Sequence, residues 1–187
     1  AMLFNALETL FTDEAWTPPT RYAEDVRHGI DNSRTDPQER IVTEHAGELR
    51  PLSLIDYLDH EGFKAATVCL KERTPEDIIA EIKASGLRGR GGAGFPTGLK
   101  WEATRASADP VKYIICNGDE GDPGAFMDRM VLESFPFRVI EGMLIAARAV
   151  GAEEGVLYIR AEYPLATRRI REAIRICEQN QLLGEDI

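Results

Sequence analysis

The chain has 187 residues, 43% of them hydrophobic, and a formal net charge of −10. This length and hydrophobic content suffice for one domain with a substantial core and a smaller appendage. The acidic balance argues against a general nucleic-acid binder, and no stretch approaches the roughly 20 apolar residues of a membrane span.

The start of the chain lacks the charged-then-apolar pattern of a signal peptide, so we expect a cytoplasmic protein without direct membrane insertion. Its three cysteines form no C-x-x-C pair, and their odd number predicts buried free thiols rather than disulfides. The three histidines lack the spacing of metal ligands, so we expect no metal site. These six residues are Cys69, Cys116, Cys177, His28, His45 and His60.

Residues 1–50 are predicted to form an N-terminal arm that packs on the domain or on a partner subunit. Apolar residues recur with helical spacing between Met2 and Leu10, and Pro18-Pro19 would end such a helix. Residues 34–40 form a polar linker, and Ile41-Val42 is expected to begin a short extended piece. The domain itself is predicted to span residues 51–187.

Two helices are predicted before the glycine-rich part of the chain. Ser53 is an N-cap candidate for a helix through His60, which would bury a face made by Leu54, Ile55 and Leu58. The segment Thr74-Pro75-Glu76-Asp77 combines an N-cap threonine, a proline at the first helical position and a reciprocal acid. The second helix would bury three isoleucines and end at Gly86. These isoleucines are Ile78, Ile79 and Ile82.

Residues 89–96, here called the glycine loop, read Gly-Arg-Gly-Gly-Ala-Gly-Phe-Pro, and a further glycine follows at Gly98. Such a run is costly for folding, because glycine loses much backbone freedom and contributes no side chain to packing. Its advantage is that bare N–H groups can approach an anion closely, and Arg88, Arg90 and Lys100 add positive charge. The pattern therefore predicts a phosphate or nucleotide cradle.

Two familiar phosphate-binding motifs do not fit the loop. The spacing of Gly89, Gly91 and Gly94 satisfies G-x-G-x-x-G, but that fingerprint must follow a strand, and the preceding residues are predicted to be helical. A Walker A loop requires Gly-Lys followed by Ser or Thr, whereas Gly98 is followed by Leu99. A helix from Thr97 or Gly98 through Ala106 would place Lys100 in its first turn, where an anion is favoured; the alternative for this lysine is a solvated surface position.

The remaining elements alternate between strand and helix. Tyr113–Cys116 is predicted to be a strand buried on both faces, and Asn117, Asp119 and Glu120 follow at its carboxyl end, where open α/β sheets bind ligands. Helices over 125–134 and 136–150, a strand over 155–160 and a helix opened by Tyr163-Pro164 come next. The sequence thus predicts an α/β fold, with a Rossmann-like parallel sheet flanked by helices and right-handed crossovers.

The residues around the glycine loop and after the first strand resemble a known family. The first stretch reads Gly-Arg-Gly-Gly-Ala-Gly-Phe-Pro-Thr-Gly-Leu-Lys-Trp, and the second reads Ile-Cys-Asn-Gly-Asp-Glu-Gly-Asp-Pro-Gly-Ala-Phe-Met-Asp-Arg. They are similar to the FMN- and NADH-binding subunit of NADH dehydrogenases. That family includes the 51-kDa subunit of respiratory complex I and equivalent subunits of NAD-linked hydrogenases and formate dehydrogenases. The likeness extends from about Leu52 to Ile187.

The resemblance implies hydride transfer between NAD(H) and FMN, with the cofactors rather than a catalytic side chain carrying the reaction. Electrons would pass on to iron–sulfur subunits of a hydrogenase, formate dehydrogenase or complex I-like assembly. Family members continue beyond the point where this chain stops, so we expect a fragment or a split subunit. A 4Fe-4S cluster would belong to the missing C-terminal part or to partner subunits.

The resemblance also assigns roles to residues by their position in the two motifs. The FMN site would be formed by Gly89, Arg90, Gly91, Gly92, Lys100, Asn117, Asp119 and Glu120. The NADH side would be formed by Gly92, Ala93, Phe95 and Asp122, with the ring of Phe95 stacking on a base. Two alternatives stay open: Phe95 as a core anchor, and Asp122 as the cap of the helix that follows it.

Asp122 also bears on the choice of coenzyme. The complex I branch commonly has a glutamate at this position, and the aspartate resembles the hydrogenase and formate dehydrogenase branch. An acid near the adenosine ribose would repel the 2′-phosphate of NADPH, so we expect NADH to be preferred. The rival functions are a nucleotide-binding module without redox activity and a structural subunit that has kept the fold.

Overall fold

The computed structural model describes residues 40–184, which divide into two units at the boundary between Gly47 and Glu48. In the first unit, residues 40–47 form turns, with backbone hydrogen bonds from Glu44 N–H to Ile41 O (3.5 Å) and from Ala46 N–H to Thr43 O (3.0 Å). The predicted extended piece at Ile41-Val42 is therefore wrong. The helix predicted between Met2 and Leu10 and the prolines after it lie outside the described residues.

The second unit builds one parallel sheet from two strands and covers it with helices. The elements described between residues 48 and 184 are α1 (Leu54–Asp59), α2 (Lys64–Lys71), α3 (Pro75–Ala84), α4 (Thr97–Ala106), β1 (Tyr113–Gly118), α5 (Met127–Ser134), α6 (Pro136–Val150), β2 (Glu154–Ile159) and α7 (Pro164–Gln179). The α/β fold predicted from the sequence is confirmed. None of the helices in this part of the chain is long and apolar enough to cross a membrane.

Helix α1 begins where the sequence predicts but buries a different face. The Ser53 hydroxyl accepts a hydrogen bond from the Asp56 N–H at 3.3 Å and caps the helix. Leu54 is half-buried against the core, as predicted, but Ile55 is 71% exposed and Leu58 is 47% exposed, so the predicted apolar face is wrong for these two residues. Tyr57 is the buried residue of this helix, because its ring packs against Phe63 and Phe137 and its hydroxyl finds a partner inside the core.

Helix α2 was not predicted from the sequence. Its N-cap is Phe63, which has a left-handed backbone with φ of 59° and provides no side-chain cap. A bulky residue rarely adopts this conformation, and no serine, threonine, aspartate or asparagine marks the start of the helix. The conformation is held by tertiary contacts, since the Phe63 ring is 4% exposed and its N–H is bound by a distant carboxylate.

That carboxylate belongs to Glu141 on α6, which is 8% exposed. It accepts hydrogen bonds from the Tyr57 hydroxyl, from the Phe63 N–H at 2.9 Å and from the Ala66 N–H at 3.1 Å. Burial and the bond to Glu141 raise the pKa of the Tyr57 hydroxyl well above its usual range. A buried carboxylate is tolerated only where such donors satisfy it, so Glu141 joins α6 to both α1 and α2.

Helix α3 follows the sequence prediction closely. The Asp77 N–H donates to the Thr74 hydroxyl at 3.2 Å and the Thr74 N–H donates to the Asp77 carboxylate at 3.0 Å, which completes the predicted capping box. Ile78 and Ile79 are buried, whereas Ile82 is half-buried. Gly86 follows the helix with a positive φ of 68°, as expected for a residue that ends a helix.

Helix α4 packs so closely on α3 that it requires a glycine at the contact. A Cβ on Gly98 would lie 2.4 Å from Lys83 Cγ and 2.8 Å from the Lys83 backbone nitrogen. The half-buried Trp101 packs next to Ile78 and Ile79 on the same side. Gly98 therefore serves helix packing, in contrast to the glycines of the glycine loop.

Strands β1 and β2 are parallel, with Gly118 opposite Ile159 at their carboxyl ends. One face is covered: Cys116, Leu157 and Ile159 pack against α5 and α7. On the other face Tyr113 is 50% exposed and Ile115 is 65% exposed, so the prediction that β1 is buried on both faces is wrong. Alternate side chains of a strand point to opposite faces, and the helices α5 and α7 cover only the face that carries Cys116 and Leu157.

Helices α6 and α7 carry much of the core. Gly151 ends α6 with a φ of 77°, and Ile170, Ala173 and Cys177 are buried along α7. Burial and the nearby Glu178 raise the pKa of the Cys177 thiol to about 12. All three cysteines are free, but Cys69 and Cys116 are only half-buried.

The Glu141→Ala substitution should strongly destabilise the second unit. It leaves three buried donors on α1 and α2 without an acceptor, and each such group costs about 1–3 kcal/mol. We expect the free energy of unfolding to fall by about 3 kcal/mol or more, measured by urea unfolding followed by circular dichroism. Glu153→Ala, at an exposed position, should change it by less than about 0.5 kcal/mol. Equal effects of the two substitutions would show that Glu141 does not join the helices.

Gly98→Ala and Gly142→Ala should change stability in opposite directions. At Gly98 the new methyl group meets the Lys83 backbone, so we expect a loss of about 1–3 kcal/mol from overpacking. At Gly142, in the interior of α6, a Cβ meets nothing within 4 Å, so alanine should gain about 0.5–1 kcal/mol. The comparison is made by the urea midpoint, and a stabilised G98A protein would contradict the close approach of α3 and α4.

Candidate functional site

The glycine loop is a closed hairpin between α3 and α4. The Gly89 N–H donates to Phe95 O at 2.9 Å, and the Thr97 N–H donates to Leu87 O at 2.9 Å. Arg88 and Pro96 form an isolated antiparallel bridge at its base. The element that leads into the loop is a helix, as predicted, so the dinucleotide fingerprint that requires a preceding strand is excluded here.

Two of the loop glycines need their backbone conformation, and two do not. Gly92 and Gly94 have positive φ values of 100° and 60°, which side chains rarely adopt. Gly91 has no such φ, and a Cβ there would meet nothing within 4 Å; at Gly89 the nearest atom is Phe95 O at 3.7 Å. The packing and backbone of the protein therefore do not explain the glycine at Gly91, which leaves open space beside the loop.

The basic residues around the loop fall into two kinds. The Arg88 side chain donates to Gly94 O at 2.7 Å and supports the hairpin from within. The side chains of Arg90 and Lys100 are exposed, and neither makes a hydrogen bond or ion pair with another residue of the range 40–184. Lys100 lies in the first turn of α4, and Trp101 holds that turn on the core. Positive charge is thus available to an anion at the loop.

Phe95 is 56% exposed, so it is not a core anchor. Gly89, Arg90, Gly91, Gly92 and Ala93 are likewise exposed. A surface aromatic ring beside bare backbone N–H groups can stack on a planar base while the loop binds phosphate. The donor groups and the open space fit a flavin or nicotinamide nucleotide.

The second group of predicted site residues follows β1. The side-chain oxygen of Asn117 accepts a hydrogen bond from the Asp119 N–H at 3.0 Å, which forms a tight turn at the end of the strand. Because Gly118 lies opposite Ile159, the next residues, Asp119 and Arg160, are neighbours across the sheet, and Arg160 Nε lies 3.9 Å from Asp119 Oδ1. Asp119 is exposed and follows the carboxyl end of β1, where parallel sheets bind ligands.

Glu120 is held by several hydrogen bonds. Its carboxylate accepts from the Asp128 N–H at 3.0 Å, from the Arg129 N–H at 3.1 Å and from the Tyr163 hydroxyl at 3.1 Å. Burial raises the pKa of the Glu120 carboxyl, but these hydrogen bonds outweigh burial and leave the pKa below its ordinary value. The carboxylate thus stabilises the N-terminus of α5, where negative charge is favoured.

Asp122 does not cap the helix that follows it. Helix α5 begins at Met127 and its N-cap residue is Phe126, whose side chain makes no capping hydrogen bond; two N–H groups of the first turn are bound by Glu120 and not by Asp122. The backbone oxygen of Asp122 accepts from the Ala125 N–H at 3.1 Å, which leaves the exposed carboxylate to other contacts. The alternative of a structural cap is therefore wrong for Asp122.

Arg160 and Tyr163 contact the predicted site residue Glu120 and were not singled out in the sequence analysis. Both lie in the connection from β2 to α7, and both contact Glu120. A signal existed for Arg160, since it follows β2 as Asp119 follows β1, and parallel strands end at the same edge. Tyr163 gave only the weaker signal of a polar aromatic residue before a proline.

The predicted site residues form two groups in the structure. In the described part of the chain, no hydrogen bond joins the glycine loop to the turn after β1. Helix α6 contacts the elements next to both groups. Helix α4, which follows the glycine loop, packs on α6, and so does β1, which precedes the turn.

Residues 82–184 match a family model described as the Nuo51 FMN-binding domain. The chain is 48% identical over 150 residues to the NADP-reducing hydrogenase subunit HndC of Solidesulfovibrio fructosivorans, covering 80% of this chain and 30% of that protein. It is 42% identical over 147 residues to an NADH-quinone oxidoreductase subunit of Aquifex aeolicus, covering 79% of this chain and 34% of that protein. The chain therefore spans about a third of the length of these curated relatives.

A solved structure has the same fold over this region. It is the crystal structure of an NAD+-reducing [NiFe]-hydrogenase in the air-oxidised state, with a TM-score of 0.58 and 40% identity, covering 69% of this chain and 23% of the hydrogenase chain. The family model covers both groups of predicted site residues. On these matches, the chain belongs to the family of the Nuo51 FMN-binding domain.

Proposed function

We propose that this chain binds FMN and NAD(H) and belongs to an NADH-oxidising flavoprotein subunit of a larger oxidoreductase. The observation that carries this proposal is Gly91, which neither backbone conformation nor packing explains and which leaves open space beside Arg90. Family membership supports FMN as the ligand, since the family model is described as FMN-binding. Iron–sulfur subunits of a hydrogenase, formate dehydrogenase or complex I-like assembly are the proposed partners.

The proposed role of each site residue follows from its position. N–H groups of the glycine loop and the Lys100 ammonium would bind phosphate, while Asn117 and Asp119 would orient the flavin ring from the turn after β1. Phe95 would stack on a base of NAD(H). FMN, when bound, would accept a hydride from NADH and pass electrons on to iron–sulfur clusters.

The proposal is tested first on the natural assembly that contains the chain, by its anaerobic visible spectrum before and after addition of NADH. We expect a flavin band that bleaches on addition. An assembly without flavin would overturn the proposal in favour of a structural subunit. A flavin band that NADH leaves unchanged would favour a nucleotide-binding subunit without redox activity.

Single-residue variants in and beside the glycine loop test which residues bind FMN. Gly91→Ala fills the open space with a methyl group, and Lys100→Gln removes an unpaired positive charge, so each should raise the FMN dissociation constant about tenfold, or about 1.4 kcal/mol. Gly142→Ala and Lys71→Gln are the matched controls on exposed helix positions and should bind FMN like the wild type. Fluorescence quenching of FMN measures the constants, and equal values for variants and controls would contradict the cradle.

The coenzyme preference rests on Asp122. One relative is named as NADP-reducing and the structural neighbour as NAD+-reducing, so the family name alone does not choose between the coenzymes. We expect NADH to be preferred, because the exposed Asp122 carboxylate would repel a 2′-phosphate.

Asp122→Asn should then raise kcat/KM for NADPH relative to NADH about tenfold. Asp59→Asn, on α1, is the control. Equal use of both coenzymes by the wild-type assembly would refute the preference.

A further inference from the structure

Arg160 holds the main chain of the turn after β1. Its Nη1 donates a hydrogen bond to the backbone oxygen of Glu120. Its Nε and Nη2 donate to the two carboxylate oxygens of Glu162 at 3.2 Å and 2.9 Å, which orients the guanidinium. A guanidinium fixed in two directions is a rigid support, because its planar donors cannot rotate independently.

Tyr163 holds the side chain of the same residue. Its hydroxyl lies 3.1 Å from Glu120 Oε2 and donates to it, with Ala125 O as a second acceptor at 3.4 Å. The ring is 7% exposed and packs in the core beside Leu132 and Ala166. A donor mounted on the core in this way has little freedom to move away from the carboxylate.

Three parts of the chain meet at Glu120: the turn after β1, the N-terminus of α5, and the connection from β2 to α7 that carries Arg160 and Tyr163. We call this meeting point the Glu120 junction. Both the backbone oxygen and the carboxylate of Glu120 are bound. This restricts the backbone dihedrals around Glu120 and thereby the direction in which the adjacent Asp119 points, with Arg160 Nε 3.9 Å from Asp119 Oδ1. Preorganisation of this kind lowers the entropic cost of binding a ligand.

We propose that Arg160 and Tyr163 are positioning residues of the candidate FMN site. They act through Glu120, which they hold by its backbone oxygen and its carboxylate, and they do not themselves touch the cofactor. The proposal rests on the proposed function, because it assigns the two residues to the flavin that this function requires. It adds to the motif residues two side chains from a different strand connection.

The test uses Tyr163→Phe in the full protein within its natural assembly, because this change removes one hydroxyl and keeps the packed ring. We expect the FMN dissociation constant to rise about tenfold and the amides of residues 119–126 to exchange hydrogen faster without FMN. At saturating FMN, the visible circular dichroism of the bound flavin should differ from that of the wild type, which a change in global stability would not cause. Tyr158→Phe, on the exposed face of β2, is the matched control and should leave all three measurements unchanged.

Variants of Arg160 provide an independent arm of the test. Arg160→Met should weaken FMN binding, and Arg160→Lys should recover most of the affinity, because an ammonium can still donate to the Glu120 oxygen. Wild-type FMN binding by Tyr163→Phe and Arg160→Met would overturn the positioning role while leaving the proposed function intact, even if amide exchange increases. A wild-type assembly without FMN would overturn the proposed function and the positioning role with it.

Discussion

The buried carboxylate of Glu141 is the interaction on which the rest of the second unit depends. It binds donors from α1 and α2, in which Tyr57 and Ala66 are the buried residues. A charge in the core is expensive unless fully satisfied, so the three donors and the carboxylate require one another. The left-handed backbone of Phe63 is part of the same arrangement, since it directs the N–H that Glu141 binds.

Helix α6, which carries Glu141, also packs on the elements that hold both groups of site residues. It packs on α3 and α4, which enclose the glycine loop, and on β1, which ends in the turn at Asn117. The loop is fixed at its base by two backbone hydrogen bonds and by the contact of Gly98 with Lys83, while its tip stays open. A rigid base with an exposed tip suits a loop whose N–H groups bind a ligand.

The sequence predicted those features that depend on local chemistry. The caps at Ser53 and Thr74, the helix before the glycine loop and the position of the turn after β1 follow from residues close together in the chain. The sequence did not predict α2, the buried face of α1 or the exposed face of the sheet, because these depend on contacts between distant residues. Glu141 lies 84 residues from Tyr57 along the chain, and no pattern links them. Arg160 was missed for the same reason, although the parallel register of β1 and β2 was a usable clue.

The Glu120 junction has a consequence for the order of events during synthesis. The turn at Asn117 is made long before Arg160 and Tyr163, which lie 40 and 43 residues after Glu120. Until β2 and the start of α7 have left the ribosome, β1 lacks its neighbouring strand of the described sheet, and Glu120 lacks its contacts with Arg160 and Tyr163. The turn therefore gains the contacts from Arg160 and Tyr163 only when the second strand is in place. A nascent chain could expose a complete glycine loop while the opposite half of the site is still unformed, so loading of a nucleotide would follow the docking of α7.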